Sequence, residues 1–172
     1  MVKYMKEEIY CYDDENVVFG FHQKGHEYLS NFYECPCMYR GAIFPSSENA
    51  YQAAKIGVDL NSISGKDLLG QLQDCSPRES KALGKKIPIR KDWDNIKDRV
   101  MAIVVLDKFV KNIELAEVLL ETGNKSLVEA NHWGDLWWGV DYQLKQGRNQ
   151  LGKTLMGVRS LLKMINSPRY NY

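Results

Sequence analysis

"LSNFYECPCMYRGAIFPSSENAYQAAK", residues 29–55, contains the change from extended chain to helix on which the fold depends. Its first half carries aromatic and aliphatic residues in short runs, and the Arg-Gly dipeptide at 40–41 predicts a bend or hairpin. Beyond the hairpin the pattern becomes helical, with Ser46 or Ser47 as N-cap and a helix that continues to about Val58. The stretch therefore predicts strand, turn, strand and helix in direct succession.

One side of this helix carries a carboxylate, an amide and an amine, which belong to Glu48, Gln52 and Lys55. Seven residues advance a helix by nearly two turns, so Glu48 and Lys55 share one direction and lie about 10 Å apart. Such a stripe is in most proteins a solvated face of an amphipathic helix. The alternative is a pocket wall, in which a glutamate acts as base or cation stabiliser and a lysine as nucleophile or phosphate partner. Spacing alone leaves both interpretations open.

The remaining patterns predict a mostly α protein with a small β-sheet, an α+β fold in a single domain that covers residues 1–172. The sequence "SPRE" at 76–79 is a strong helix start, because its serine, proline and glutamate match a capping box. Further predicted helices cover 64–74, 76–85, 94–112, 113–123 and 149–165. Predicted strands cover 8–12, 16–21, 37–44, 126–131 and 136–140.

Composition excludes several classes of protein. The formal charge is +1 and acids and bases are mixed along the chain, so broad electrostatic binding to nucleic acid is not favoured. A local site that reads one modified nucleotide remains compatible with this charge. No segment approaches the roughly 20 apolar residues of a membrane span, and the N-terminus lacks an apolar signal core. We therefore expect no membrane partner and a cytoplasmic protein, or one made inside a cell by a virus or mobile element.

The cysteines favour free thiols rather than a metal site. They are Cys11, Cys35, Cys37 and Cys75. In a reducing compartment such cysteines stay reduced. The "CPC" motif suggests metal binding, with His22 and His26 as further ligands, but metal sites usually need a C-x₂₋₄-C spacing. Packing and turn formation are the preferred interpretation, and we expect no metal.

Two other segments carry candidate site residues. In "PIRKDWD", Trp93 is more often a core anchor, but its flat face beside Arg90 would suit a planar base and a phosphate. In "HWGDLWWG", Asp135 lies among tryptophans, where a carboxylate is costly unless it is paired or used. His132 is a weaker candidate for acid–base chemistry. In "QGRNQLG", a turn before a helix would present Asn149 or backbone N–H groups to an anion.

Several motifs in order along the chain resemble the NADAR family, also called the YbiA-like family. They are "LSNFY", "FPSSENAYQAAK", "LGKKIPIRKDW", "LAEVLLETGNKSLVEAN", "D…WG" and "GRNQLGKTLMGVR". The resemblance implies a single-domain YbiA-like fold and an N-glycosidase that cleaves the bond between a nitrogen and C1 of a ribose unit. It implies two substrate classes: phosphoribosylamino-pyrimidine intermediates of riboflavin synthesis, and guanine in nucleic acid that carries ADP-ribose. The implied partners are thus a small ribosyl phosphate or ADP-ribosyl molecule, or ADP-ribosylated nucleic acid.

The same resemblance assigns roles to residues of this chain. Catalytic roles fall on Glu48, Lys55 and Asp135, and Trp93 is assigned to substrate binding. Weaker binding assignments fall on Asn31, Arg78, Arg90 and Asn149. A carboxylate near C1 would stabilise the positive charge of the departing-base transition state, and a lysine would serve a Schiff-base route. Asp135 would orient a water or a ribose hydroxyl and Trp93 would stack on the base, with no metal or organic cofactor required.

Two departures from the family pattern bear on substrate choice. Asn49 occupies a position where the family commonly has histidine, and an amide cannot shuttle a proton near neutral pH. Asp141 follows "WGV" where the family often has glycine, so it adds a charge and a Cβ. These departures keep an alternative open, a non-catalytic module that binds NAD or ADP-ribose.

Overall fold

The computed structural model describes residues 12–21 and 25–166. Within them the chain forms helices and short strands, which confirms the predicted α+β class. The helices are α1 (Ser47–Ala53), α2 (Ile63–Asp74), α3 (Pro77–Leu83), α4 (Trp93–Lys111), α5 (Ile113–Glu121) and α6 (Gln150–Ile165). The strands are β1 (Tyr12–Asp13), β2 (Val17–Phe19), β3 (Glu34–Tyr39), β4 (Ala42–Ser46), β5 (Ser126–Val128), β6 (Ala130–Asn131) and β7 (Val140–Asp141). None of the described helices is long and apolar enough to cross a bilayer.

Some predictions fall outside the described residues, namely most of the strand at 8–12, Cys11 and His22. The other histidine considered as a ligand, His26, lies 2.9 Å from a carboxylate oxygen of Asp13. Across 12–21 and 25–166, no group of three or more His, Cys, Asp or Glu side chains could hold a metal ion. The three described cysteines are free thiols, as predicted.

The described chain forms two compact units. The first comprises the residues up to Ser30 together with Asn124–Lys153, and the second comprises Asn31–Gly123 with the chain from Thr154 onward. A single domain over 1–172 stays a prediction. In the first unit, β2 pairs antiparallel with β1 and parallel with β5, and β6 pairs parallel with β7. Phe19, Ala130 and Val140 form the hydrophobic cluster of this unit.

The second unit surrounds α1 with other elements. Strands β3 and β4 form the predicted antiparallel hairpin, which turns at Arg40 and Gly41 with φ of 49° and 83°. Helix α1 follows β4 directly and contacts both strands as well as α2, α3 and α4. All residues of α1, from Ser47 to Ala53, are buried as a result. Glu48 and Gln52 of the predicted polar stripe are therefore interior, which excludes a solvated face for them, and Lys55 lies beyond the end of α1 with intermediate exposure.

Two predicted elements are shorter in the structure than the sequence suggested. Helix α1 ends at Ala53 instead of Val58, because the chain after it pairs with the segment before α4 through an antiparallel bridge between Ile56 and Ile89. The predicted strand 136–140 is reduced to Val140–Asp141. Turns replace the first part of this strand, since the carboxylate of Asp135 accepts hydrogen bonds from the backbone N–H groups of Trp137 and Trp138. The first loss comes from a partner that is distant in sequence, and the second from a side chain that lies two or three residues away.

Candidate functional site

Glu48 is held in the first turn of α1 by the residues on either side of it. Ser46 caps the helix, and its side chain accepts a hydrogen bond from the N–H of Asn49, which confirms the predicted N-cap. The Glu48 side chain is only 6% exposed. Its Oε1 accepts a hydrogen bond of 2.6 Å from Nε2 of Gln52, one turn further along the same face. The carboxylate and the amide predicted on the stripe thus form one buried pair.

Asn31, a predicted binding residue, fixes the start of α1. Its backbone carbonyl accepts the Glu48 N–H at 3.0 Å, and its side-chain oxygen accepts the Ser47 hydroxyl at 3.1 Å. Its Nδ2 lies 3.3 Å from the sulfur of Met101 in α4. Asn31 is 8% exposed, so its observed contacts position the helix that carries Glu48. Direct contact with substrate stays a prediction for this residue.

Lys55 lies in the turn after α1 and contacts two aromatic rings. Its Nζ is 5.3 Å from the ring centre of Tyr51 and 5.8 Å from that of Trp93, distances at which a cation is attracted to the ring face. Among the residues that the structure describes, Lys55 forms no ion pair or hydrogen bond through its side chain. Burial lowers the pKa of its amine, while the carboxylate of Glu48 opposes that shift. The half-buried amine is therefore easier to deprotonate than an exposed lysine.

Lys81 belongs to the same electrostatic group, and sequence reasoning missed it. Its charge lowers the pKa of the Lys55 amine further, so the two ammonium groups repel each other. The Lys81 Nζ lies 5.4 Å from the ring centre of Phe32, in the "NFY" segment that follows Asn31. The only signal in the sequence was the position of Lys81 one turn after a well-defined helix start. A second cation suits a substrate that carries phosphate.

Trp93 combines the two roles that the sequence left as alternatives. It is the first residue of α4, it is 9% exposed, and its ring meets Tyr51 edge to face at 5.0 Å between centroids. It is therefore a core anchor that also contacts the Lys55 ammonium. The nearby Arg90 side chain forms a bidentate pair with Asp92, with distances of 2.6 and 2.9 Å. Arg90 also lines an open groove of about 690 Å³ together with Arg40 and Arg99.

Gln52 is fixed from its other side by Gly84, at the C-cap of α3. A Cβ added to Gly84 would lie 1.8 Å from the Gln52 Oε1 and 2.5 Å from its Cδ. The amide of Gln52 is therefore confined between Gly84 and the carboxylate of Glu48. Sequence reasoning placed Gln52 on the stripe but gave no sign that a glycine from another helix holds it. The remaining predicted binding residue of this unit, Arg78, is exposed in the first turn of α3.

Asp135 lies in the first unit, where its carboxylate stabilises a turn. Oδ1 accepts the N–H groups of Trp137 at 3.2 Å and Trp138 at 2.9 Å, while the backbone of Asp135 exchanges two hydrogen bonds with the Asn131 side chain. Oδ2 has no hydrogen-bond partner among residues 12–21 and 25–166. Asp135 thus has a structural role through Oδ1. A catalytic role stays a prediction, and it concerns Oδ2. His132, which is exposed, packs its ring 4.7 Å from that of Tyr142.

Asn149 is also engaged within the first unit. It has a left-handed backbone with φ of 51°. Its Oδ1 accepts the N–H of Glu129 at 3.1 Å and its Nδ2 donates to the carbonyl of Leu127 at 2.9 Å. Both amide atoms therefore bind the chain around β5 to the start of α6. This favours a positioning role, and the predicted substrate contact remains untested.

The two departures from the family pattern both serve local structure. Asn49 is fully buried, and its Nδ2 donates to the carbonyls of Leu72 at 2.9 Å and Cys75 at 2.8 Å, which attaches α1 to the end of α2. The Asp141 Oδ1 accepts the backbone N–H groups of Gln143 and Leu144 at 2.9 and 2.8 Å. Each departure thus has a structural role within its own unit.

The fold and the second unit define a class: a small α+β protein in which one buried helix carries a carboxylate and an amide, and the turn after it places a lysine near two aromatic rings. The NADAR domain model matches residues 18–163, and the chain belongs to the NADAR family. The chain is similar to the NMR structure of the Escherichia coli protein YbiA, with a TM-score of 0.73, 26% identity, and coverage of 94% of this chain and 95% of that one. This match agrees with the predicted YbiA-like fold.

Three relatives carry names that describe a function. A riboflavin biosynthesis protein of Vibrio vulnificus is 35% identical over 160 residues, which is 92% of this chain and 40% of that protein. An N-glycosidase of Nostoc punctiforme is 43% identical over 95 residues, which is 54% of this chain and 60% of that protein. The N-glycosidase YbiA of Escherichia coli is 30% identical over 152 residues, which is 86% of this chain and 90% of that protein. The chain thus spans less than two thirds of the length of the first two relatives.

Proposed function

We propose that this protein is an N-glycosidase that hydrolyses the bond between a nitrogen and ribose C1. The observation that carries the proposal is the position of the Lys55 amine, which is half-buried and lies near the rings of Tyr51 and Trp93. Burial lowers the pKa of this amine, and the Glu48 carboxylate is close enough to oppose that shift. A lysine that is easily deprotonated beside a carboxylate is an arrangement suited to nucleophilic or acid–base chemistry. The names of relatives in Nostoc punctiforme and Escherichia coli support the same reaction class.

The proposed reaction breaks the C1–N bond and adds water across it. In the direct route, the departing base leaves positive charge on the ribose ring, which the Glu48 carboxylate stabilises while water attacks C1. In the covalent route, the amino-sugar opens to an imine and the neutral Lys55 amine attacks C1. The original amine leaves with a proton, and water then hydrolyses the lysine imine to release the sugar and restore Lys55. The direct route thus relies on the Glu48 carboxylate, with the Lys55 ammonium free to attract the substrate's phosphate, and the covalent route relies on the Lys55 amine.

The proposed substrates are a phosphoribosylamino-pyrimidine and an ADP-ribosylated guanine, either free or in nucleic acid. Both join a planar base, a ribose and at least one phosphate. In this proposal Trp93 contributes an aromatic surface, and Lys55 with Lys81 supplies positive charge that suits a phosphate. The name of the Vibrio vulnificus relative, a riboflavin biosynthesis protein, favours the pyrimidine. Asp135 is proposed to hold a ribose hydroxyl or the attacking water through Oδ2.

The experiment that tests the proposal measures bond cleavage directly. The protein is incubated separately with the phosphoribosylamino-pyrimidine and with an oligonucleotide that carries ADP-ribosyl guanine, and released sugar phosphate is followed by mass spectrometry. We expect release from one of the two, and loss of that release in Lys55→Met. Lys85→Met, which removes an exposed lysine after α3, is the matched control and should keep full activity.

The same experiment separates an enzyme from a binding module. Saturable binding of ADP-ribose by calorimetry, with no sugar released from either substrate, would refute the N-glycosidase and support the non-catalytic alternative. Borohydride added during turnover then distinguishes the two routes. A mass increase at Lys55 equal to the reduced sugar phosphate indicates the covalent route, and an unmodified Lys55 in an active protein indicates direct attack by water.

A further inference from the structure

Strand β3 buries two thiols on one face. Cys35 and Cys37 are 8% and 1% exposed, and their sulfur atoms lie 4.0 Å apart. Residues separated by one position point to the same side of a strand, so the "CPC" motif brings both sulfurs to the interior and leaves Pro36 outside. The Cys37 thiol also donates to the carbonyl of Cys35 at 3.4 Å. The two sulfur atoms are therefore already close to each other in the reduced protein.

A lysine from α4 shares the interior with this pair. Lys108 is 1% exposed, and its Nζ lies 5.4 Å from the ring centre of Tyr33 and 5.5 Å from that of Phe109. Burial lowers the pKa of its amine to about 8, and the two cysteine sulfurs oppose that shift. An ammonium group in the interior stabilises a thiolate in its range. The structure thus combines a buried cation with two sulfurs that can share one proton.

The proton is expected to reside on Cys37. A hydrogen bond from the Cys37 thiol lowers the pKa of Cys35 to about 7, with the charge of Lys108 acting in the same direction, and the pKa of Cys37 is raised. Helix α4 also carries Asp107, whose negative charge contributes to the raised pKa of Cys37. Strand β4 has no titratable side chain. The titratable residues of α1 are Glu48, which accepts a hydrogen bond from Gln52, and Tyr51, which packs on Trp93.

We propose that Cys35 and Cys37 form a peroxide-reactive dithiol, in which a hydroperoxide oxidises Cys35 and Cys37 then closes a reversible disulfide. This site is independent of the proposed glycosidase activity. The sequence alone favours a packing role for this motif, and the buried Lys108 changes the chemistry of its two thiols. Cys35 is 8% exposed as a residue, and the proposal requires that a molecule as small as hydrogen peroxide reach its sulfur.

The reaction proceeds in two balanced steps. The Cys35 thiolate attacks one oxygen of the hydroperoxide, an S–O bond forms, the O–O bond breaks, and the other oxygen leaves as an alcohol or as water after taking a proton. Sulfur is oxidised by two electrons and the peroxide is reduced by two. Cys37 then attacks the Cys35 sulfur, the S–S bond forms, and the hydroxyl leaves with the Cys37 proton as water. The sum converts two thiols and one peroxide into a disulfide and two waters, or into a disulfide, one water and one alcohol when the peroxide is organic.

The local backbone accommodates the disulfide at a cost. Alternate residues of a strand have Cα atoms about 6.6 Å apart, near the upper limit of about 6.8 Å for a disulfide. The ladder between β3 and β4 shifts register between Glu34 and Cys37, so this part of β3 is irregular and has room to bend. A disulfide formed under such constraint is more easily reduced than a structural one. We therefore expect a reversible modification.

The test uses the full chain and hydrogen peroxide in a buffer that contains a metal chelator. After treatment at pH 7.5, free thiols are alkylated and peptides are analysed by mass spectrometry. We expect a loss of two hydrogens in the peptide that contains Cys35 and Cys37, reversed by dithiothreitol. In Cys37→Ser, dimedone should label Cys35 as a sulfenic acid. Cys75 is the internal control, since burial raises the pKa of its thiol, and it should react at least tenfold more slowly.

Two measurements isolate the effect of Lys108. Lys108→Met should slow oxidation of Cys35 at least tenfold at pH 7.5 while leaving the rate at Cys75 unchanged. In the wild-type protein, alkylation of Cys35 by iodoacetamide should follow a midpoint near pH 7, whereas the midpoint for Cys75 should lie above the usual range of a cysteine thiol. Oxidation of Cys75 or Cys11 before Cys35, or equal midpoints for Cys35 and Cys75, would overturn the proposal. If Lys108→Met fails to fold, the pH dependence of alkylation in the wild-type protein still tests the proposal.

Discussion

The contact between Gly84 and Gln52 leads to a sharp prediction about a single methyl group. Gly84 has a right-handed backbone with φ of −58°, in which an alanine is unstrained. The added Cβ of Gly84→Ala would nevertheless lie 1.8 Å from the Gln52 Oε1 and 2.5 Å from its Cδ. These distances are far inside van der Waals contact, so the amide must move. Because Gln52 is 4% exposed, it has little room in which to do so.

The cost of the substitution follows from what Gln52 loses. Its Nε2 donates a bond of 2.6 Å to the Glu48 carboxylate, and a hydrogen bond to a charged group contributes about 1.5–3 kcal/mol. Overpacking adds about 1–3 kcal/mol, while replacing a glycine by alanine returns about 0.4–1 kcal/mol through the unfolded state. We therefore expect Gly84→Ala to lower the free energy of unfolding by about 2–4 kcal/mol.

Urea unfolding monitored by circular dichroism measures this change, and the chain contains a matched control. Gly70 lies inside α2, and a Cβ there would meet nothing within 4 Å, so Gly70→Ala should stabilise the protein by about 0.5–1 kcal/mol. In a Gln52→Ala background the obstructing atoms are absent, so Gly84→Ala should cost less than about 0.5 kcal/mol. An equal cost of Gly84→Ala with and without Gln52 would refute the reasoning.

Other predictions concern the charged groups. Glu48→Gln should lose most sugar release with less than about 1 kcal/mol change in stability, and near-wild-type turnover would remove Glu48 from the mechanism. If neutral Lys55 attacks, pH–rate profiles should show activity that rises as the Lys55 amine deprotonates, at a pH below the ordinary pKa of lysine. Glu48→Gln removes the negative charge that opposes this shift of the Lys55 pKa, so any residual activity should rise at a lower pH. Asp135→Asn keeps an Oδ1 that accepts from the N–H groups of Trp137 and Trp138, so circular dichroism should show a folded protein. A rate lower by about two to four orders of magnitude would support a catalytic role for Oδ2, and full activity would support a purely structural role in the turn.

Local signals in the sequence predicted the parts of the fold that depend on neighbouring residues. The N-cap at Ser46 and the capping box of Ser76 and Glu79 are present as predicted, because capping involves residues only three positions apart. The end of α1 was predicted too late, since it depends on pairing between Ile56 and Ile89, which are distant in sequence. No local pattern reports such a partner.

The same division between local and distant causes applies to the candidate site. Glu48 and Gln52 were placed together from helical spacing, and their hydrogen bond agrees with that spacing. Lys81 was missed, and the confinement of Gln52 by Gly84 could not be foreseen, because both depend on how α3 packs on α1. Asp135 was expected to be costly among tryptophans, but the backbone N–H groups of those tryptophans are what it binds.

The burial of α1 excludes a solvated face for the polar residues that this helix carries. A solvated stripe needs no explanation, whereas a carboxylate and an amide in the interior lower stability unless they are paired or used. Glu48 is paired with Gln52, but Lys55 forms no ion pair within residues 12–21 and 25–166, although Glu48 affects its pKa. An arrangement selected only for stability would bring the two charges into contact, since the rings of Tyr51 and Trp93 and the distant carboxylate compensate the cost of burying the amine only in part. A substrate placed between a carboxylate and an ammonium group would interact with both, which is the reason to expect the sugar at this position.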